Sequence, residues 1–186
     1  MTRTQERHAQ VTDALLRLDL DAVAYVPSNS IAPVIRGLEE ADRERVAADG
    51  GRRRVFPVSR EEEAVGLVGA LPLAGRFGAI VMQDNGFGNA LTALTTFTVA
   101  YHLPLLIVAN TRGGLGEYNS MIHAISAPVP DLLKASGIAT FRLDRRHTPE
   151  DWGATVEAAG THARMTYRPV VVLMEFYDIP GEGSVA

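Results

Sequence analysis

The sequence predicts a single doubly wound α/β domain, with a parallel sheet of about six strands and helices on both faces. Three observations predict it. Six short apolar runs alternate with segments of helical pattern along the chain, the order that builds strand–helix–strand units. Most of the runs are continuously apolar, as strands buried on both faces require. Glycine, asparagine and serine collect just after several of them, where open α/β sheets bind their ligands.

Thr4 to Leu18 carries Val11, Leu15, Leu16 and Leu18 at helical spacing and is expected to be an amphipathic helix. Ala22–Val26 is an apolar run closed by Pro27, a buried strand. Ser28-Asn29-Ser30 offers N-cap candidates for a helix over Ile31–Glu40. The polar stretch Ala41–Arg53 is expected to be an exposed connection. The alternation resumes with strand Arg54–Val58, helix Arg60–Leu73, strand Gly78–Met82, helix Asn89–Tyr101 and strand Leu105–Ala109. Asn110–Ser120 is rich in glycine and polar residues, and Met121–Pro130 shows no clear period. Loops this long are often functional. Helix Asp131–Ser136, strand Ile138–Leu143, helix Pro149–Thr166 and strand Val170–Phe176 follow, and the tail Gly181–Ala186 is expected to fray.

Composition removes several function classes. A chain of 186 residues suits one domain with a real core. With 46% hydrophobic residues, 22% charged and a net charge of −4, it is expected to be soluble and offers no nucleic-acid surface. Its one basic block, Arg52-Arg53-Arg54, reads as a solvated loop. The lack of cysteine excludes disulfides, thiolate metal sites and a thiol nucleophile. Met1–Gln10 has no apolar signal core, and no run approaches the roughly 20 apolar residues of a membrane span. A cytoplasmic location is the default expectation. His8, His102, His147 and His162 lack metal-ligand spacing, so no metal ligand is expected in this chain.

The chemistry-bearing residues sit on four strand-end loops: Pro27–Ser30, Ser59–Glu62, Gln83–Asn89 and Asn110–Ser120. Ser59-x-x-Glu62 has the form of a capping box, and Glu61 and Glu63 would complement the helix dipole. Capping does not explain the small apolar residues that follow, Ala64 to Ala70. Close packing on that face would desolvate a carboxylate at its edge and raise its pKa. Gly86-x-Gly88 is either a ligand-free tight turn or a fragment of a dinucleotide fingerprint, and the third glycine and acidic residue of the latter are missing. Arg112, in Arg112-Gly113-Gly114-Leu115-Gly116, and His123 are either ordinary surface groups or the partners of an anionic substrate. A guanidinium suits carboxylate, sulfonate or phosphonate.

Taken in order, Val26-Pro27-Ser28-Asn29-Ser30, Ser59-Arg60-Glu61-Glu62-Glu63-Ala64-Val65-Gly66 and Met82-Gln83-Asp84-Asn85-Gly86-Phe87-Gly88-Asn89-Ala90 carry a family resemblance. They resemble the thiamine-diphosphate-dependent decarboxylases of 3-sulfopyruvate and 3-phosphonopyruvate, and Leu105–Gly113 continues the match. The resemblance spans roughly Ala22 to Ile138 and covers the pyrimidine-binding domain. The pyrophosphate-binding half of that family carries a Gly-Asp-Gly motif, which is absent here.

The resemblance therefore implies that residues 1–186 are the α subunit of a split enzyme. A separate β chain would supply the magnesium and diphosphate site in an α2β2 or larger heteromer. It implies that Glu62 is the glutamate that bonds N1′ of the aminopyrimidine, favouring the imino tautomer whose 4′-nitrogen removes the C2 proton. Gln83, Asn85, Gly86, Phe87 and Asn89 are expected to contact the cofactor, and Ser28, Asn29, Ser30, Arg112 and His123 a small anionic 2-oxo acid. Two departures stand out: Asp84-Asn85-Gly86 replaces a more usual Asn-Ser-Gly, and Pro72 replaces a tyrosine. The alternatives are a non-catalytic scaffold or regulatory subunit, which would not need a carboxylate at Glu62, and a nucleotide-binding Rossmann-like module.

Overall fold

The computed structural model describes residues 1–114 and 117–176. Six strands run parallel in one sheet: β1 (Ala22–Tyr25), β2 (Val55–Pro57), β3 (Gly78–Gln83), β4 (Leu105–Asn110), β5 (Ala139–Leu143) and β6 (Pro169–Met174). Their order across the sheet is β2-β1-β3-β4-β6-β5. Helices α1 (Arg3–Arg17), α2 (Ala32–Asp49) and α7 (Pro149–Thr166) cover one face. Helices α3 (Glu61–Gly69), α4 (Phe87–Ala93) and α6 (Val129–Ala135) cover the other. The expected doubly wound architecture is the one observed.

The strand pleat explains the two-sided burial. Ala79, Val81, Leu106, Val108, Val170 and Val172 point to the α1–α2–α7 side. Their neighbours Ile80, Met82, Leu105, Ile107, Val171 and Leu173 point to the α3–α4–α6 side, because successive side chains alternate across a strand. Helix α7 answers with Trp152, Val156, Ala159 and Ala163, a buried stripe at helical spacing.

Four local expectations fail. Ala41–Arg53 is not an open connection, since α2 runs on to Asp49 and stops at Gly50 with φ of 65°. Asp42 is buried one turn after Leu38. Its carboxylate accepts from the backbone N–H groups of Arg54 (3.1 Å) and Val55 (3.2 Å) and from Arg45 Nη2 (2.8 Å). A charged residue that looks solvated in the sequence thus ties the helix to the start of β2.

The Ser59–Glu62 capping box does not form. Arg60 is the N-cap of α3, so Ser59 stands one residue too early, and its N–H donates to Glu63 Oε2 (3.1 Å) instead. The helix expected to reach Leu73 ends at Gly69, and a 3₁₀ turn over Leu71–Ala74 carries Pro72.

Part of Met121–Pro130, which shows no period, is helical. Asn119 caps α5 (Ser120–Ser126) by accepting from the N–H groups of Met121 and Ile122. Past Ala93, α4 continues as a wider π-helical stretch over Leu94–Val99. There the Thr95, Thr96 and Thr98 hydroxyls bond back to the carbonyls of Leu91, Thr92 and Leu94, competing with the regular ladder. The expectation of a frayed Gly181–Ala186 tail lies outside the described residues, as do Leu115 and Gly116. Among the described residues no helix is long and apolar enough to cross a membrane.

Candidate functional site

The strand order changes direction at β1, whose neighbours are β2 on one side and β3 on the other. Chains leaving the carboxyl ends of β1 and β3 diverge, and a crevice opens between them. A cleft of about 520 Å³ lies there. After β1 come Ser28 and Asn29, after β2 Glu61, at the end of β3 Gln83 and just past it Asn85, and after β4 Arg112. Ala32, Ile35 and Arg36 of α2 form one wall, and Ile122 of α5 also contributes. All four loops singled out in the sequence therefore meet in one place.

Within the cleft, Ser28 Oγ donates to Gln83 Oε1 (2.9 Å), and Gln83 Nε2 donates to Asn85 Oδ1 (2.9 Å). This relay locks the amide orientations from β1 to β3. Ser30 is not part of it: its carbonyl meets His8 Nε2 at 3.1 Å, behind the cleft. Phe87 is fully buried in the core below. His123 is exposed on α5 and does not line the cleft, whereas Ile122 does.

Of the glutamate triplet, Glu61 is the member that lines the cleft. One of its oxygens, Oε2, accepts from Asn89 Nδ2 (3.0 Å). Its side chain lies so close to Gly86 that an added Cβ would stand 2.6 Å from Oε1. Gly86 is required by this approach. Glu62 points elsewhere. Its Oε1 pairs with Arg60 Nε at 2.7 Å, and that guanidinium holds the carboxyl below its ordinary value. Its Oε2 is enclosed and has no hydrogen-bond partner among the described residues.

Arg112 reaches the cleft but is already engaged. Its Nε and Nη2 donate to Glu117 Oε2 (2.5 Å) and Oε1 (3.1 Å), with the two side chains 10% and 2% exposed. Glu117 also accepts from Asn119 N–H (2.8 Å), which joins the β4 loop to the cap of α5. Asp84 makes a second tie. It accepts from Arg112 N–H (2.9 Å) and Ser126 Oγ (2.6 Å), and burial raises its pKa against those bonds. Gly113 packs against the backbone of Ala127, where a Cβ would collide.

Sequence reasoning missed two residues that line this cleft and two that stand beside its lining, against Arg112 and Gln83. Glu61 was visible only as one of three adjacent glutamates. Arg36 carried no motif, and Glu117 lies across a glycine-rich loop from the arginine it pairs. Asn110, at the end of β4, is fully buried, and its side-chain amide has no partner among the described residues.

A parallel doubly wound domain with a polar cleft at its switch point has the α/β fold of the pyrimidine-binding domains of thiamine-diphosphate enzymes. A solved structure of 2-oxoglutarate:ferredoxin oxidoreductase from Magnetococcus marinus shares the fold. Its TM-score is 0.64 at 16% identity, over 92% of this chain and 28% of that one. No protein-family model matches the chain.

Curated relatives are closer. Sulfopyruvate decarboxylase subunit alpha of Methanococcus maripaludis is 32% identical over 167 residues, 89% of this chain and 92% of the relative. The subunit of the same name in Methanocaldococcus jannaschii is 26% identical over 165 residues, covering 89% and 90%. Phosphonopyruvate decarboxylase of Streptomyces viridochromogenes is 28% identical over 126 residues, 67% of this chain but 30% of that protein. The chain belongs to the sulfopyruvate/phosphonopyruvate decarboxylase family, as a relative of its α subunits.

Proposed function

We propose that this chain is the α subunit of a thiamine-diphosphate-dependent decarboxylase acting on a 2-oxo acid with an anionic group at C3. 3-Sulfopyruvate is the first candidate and 3-phosphonopyruvate the second, with sulfoacetaldehyde or phosphonoacetaldehyde and carbon dioxide as products. The partner would be a β chain carrying the pyrophosphate-binding half and most of the magnesium site. The observation that carries this reading is a carboxylate, Glu61, set against a glycine in the switch-point cleft of a chain from this family.

The residues present fit the aminopyrimidine end of the cofactor. Gly86 leaves the space that Glu61 occupies, and Asn89 holds one carboxylate oxygen so that the other is available. In the bound state the cofactor supplies an electron sink for the pair released as carbon dioxide leaves. Glu61 would hold a proton at N1′, the step the sequence assigned to Glu62. We place it on Glu61 because the Glu62 carboxylate is paired with Arg60. The Ser28–Gln83–Asn85 relay would present fixed polar groups beside the ring and the 2-oxo acid.

The test is a pair of conservative variants assembled with the β chain. Glu61→Gln should assemble normally, bind thiamine diphosphate more weakly and lose about 10²–10⁴-fold in turnover, the usual scale of acid–base catalysis. Glu62→Gln should stay within a few-fold of the wild type. The opposite ranking would return the role to Glu62, and two near-wild-type variants would take it from both. No turnover of either 2-oxo acid by the assembled wild type would remove the decarboxylase assignment.

A further inference from the structure

We propose that Arg36, on α2, is the residue that receives the C3 anion of the substrate, and that Arg112 is a positioning residue held by Glu117. The proposal deepens the functional reading above and rests on it, since it needs a substrate with two anionic groups.

Two guanidinium groups line the cleft, and their circumstances differ. Arg112 is closed twice over by Glu117 through a forked pair, and both side chains are nearly buried. For Arg112 to take a sulfonate, it would have to release Glu117 and leave that carboxylate uncompensated in a desolvated place. Its backbone N–H is also committed to Asp84. The pair adds little net charge to the cleft and fastens the β4 loop to α5.

Arg36 is exposed on the cleft wall, and no carboxylate among the described residues pairs with it. The imidazole of His8 does not offset it. Burial lowers the pKa of His8, backbone bonds to Ser30 and Thr4 oppose this, and the Arg36 charge lowers it again. Ala32 and Ile35, from the turn that precedes Arg36, line the same wall. The first turn of α2 carries no acidic residue to cancel the positive end of its dipole. The exposed side chain of Asn29 stands at the mouth. A guanidinium on this wall, with no described carboxylate paired to it, can donate two parallel N–H bonds to two oxygens of a sulfonate or phosphonate. Plain pyruvate has no atom there.

The experiment compares wild type, Arg36→Gln, Arg36→Lys and Arg112→Gln, each assembled with the β chain, on 3-sulfopyruvate and on pyruvate. A second readout is equilibrium binding of 3-sulfopropanoate, which keeps both anions but lacks the 2-oxo group, against propanoate. Arg36 makes no bond within the described residues, so its variants should melt as the wild type does. In Arg36→Gln the loss of kcat/KM on 3-sulfopyruvate should exceed the loss on pyruvate by tenfold or more, mostly through KM. Preference for 3-sulfopropanoate should fall in parallel, and lysine should restore part of both. Arg112→Gln should weaken the two substrates alike. If the wild type prefers the sulfonated substrate and Arg36→Gln keeps that preference, the assignment to Arg36 is overturned while the functional reading stands. If the wild type itself shows no preference for the second anion, that reading falls and takes this inference with it.

Discussion

The carboxylate of Glu61 occupies the space beside the Cα of Gly86 that any other residue at position 86 would fill with its own side chain. The acidic group of one strand-end loop is thus seated by the glycine of the next.

Gly86→Ala should therefore act on Glu61. The added methyl must displace the carboxylate or the turn, and overpacking of this kind costs about 1–3 kcal/mol. Stability should fall within that range in a denaturant melt. Under the proposed function, affinity for thiamine diphosphate of the chain assembled with a β partner should fall further than stability predicts. A variant with normal cofactor affinity would show that Glu61 is not held by this contact.

Asn89→Ala should separate orientation from folding. Asn89 is exposed, and its Nδ2 bonds Glu61 Oε2. Surface truncations away from special features cost within about 0.5 kcal/mol. Thermal stability should barely change, while turnover should drop several-fold as Glu61 loses its support. Unchanged kinetics would mean that the bond does not position the carboxylate.

Breaking the Arg112–Glu117 pair should be costly from either side. The side chains are 10% and 2% exposed, and bonds to charged groups contribute about 1.5–3 kcal/mol. Glu117→Gln and Arg112→Gln should each destabilise by roughly 2 kcal/mol, and the double variant by clearly less than the sum. Additive losses in urea titrations would argue against direct coupling.

Acid should release the strap between α2 and β2. Burial raises the pKa of Asp42, but bonds from Arg45, Arg54 and Val55 outweigh it and hold the carboxyl below its ordinary value. In the unfolded chain such a group ionises near pH 3.9, so its stabilisation is present above about that pH and is lost as pH falls through the lower folded value. Asp42→Asn should be less stable than wild type at neutral pH, and the gap should narrow below about pH 4. A gap that is independent of pH would show that Asp42 contributes shape alone.

The sheet and the convergence of the loops were legible in the sequence. Runs such as Gly78–Met82 and Leu105–Ala109 are apolar throughout, and a strand covered on both faces is the arrangement that buries every residue of such a run. Parallel strands then bring all carboxyl-end loops to one edge, so Ser28, Asn29, Gln83, Asn85 and Arg112 could be placed in one neighbourhood before any coordinates. The length of α2 was not legible, because Asp42 reads as solvent-facing until β2 is laid beside it. Which glutamate enters the cleft was also decided by tertiary structure. Adjacent helical residues point about 100° apart, so starting α3 at Glu61 with Arg60 as N-cap turns Glu61 inward and leaves Glu62 to Arg60. The same limit applies to the arginines. Both carry one positive charge in the sequence, but Glu117 is folded onto Arg112, whereas no described carboxylate pairs with Arg36. Only the packing of the β4 loop against α5 makes that difference.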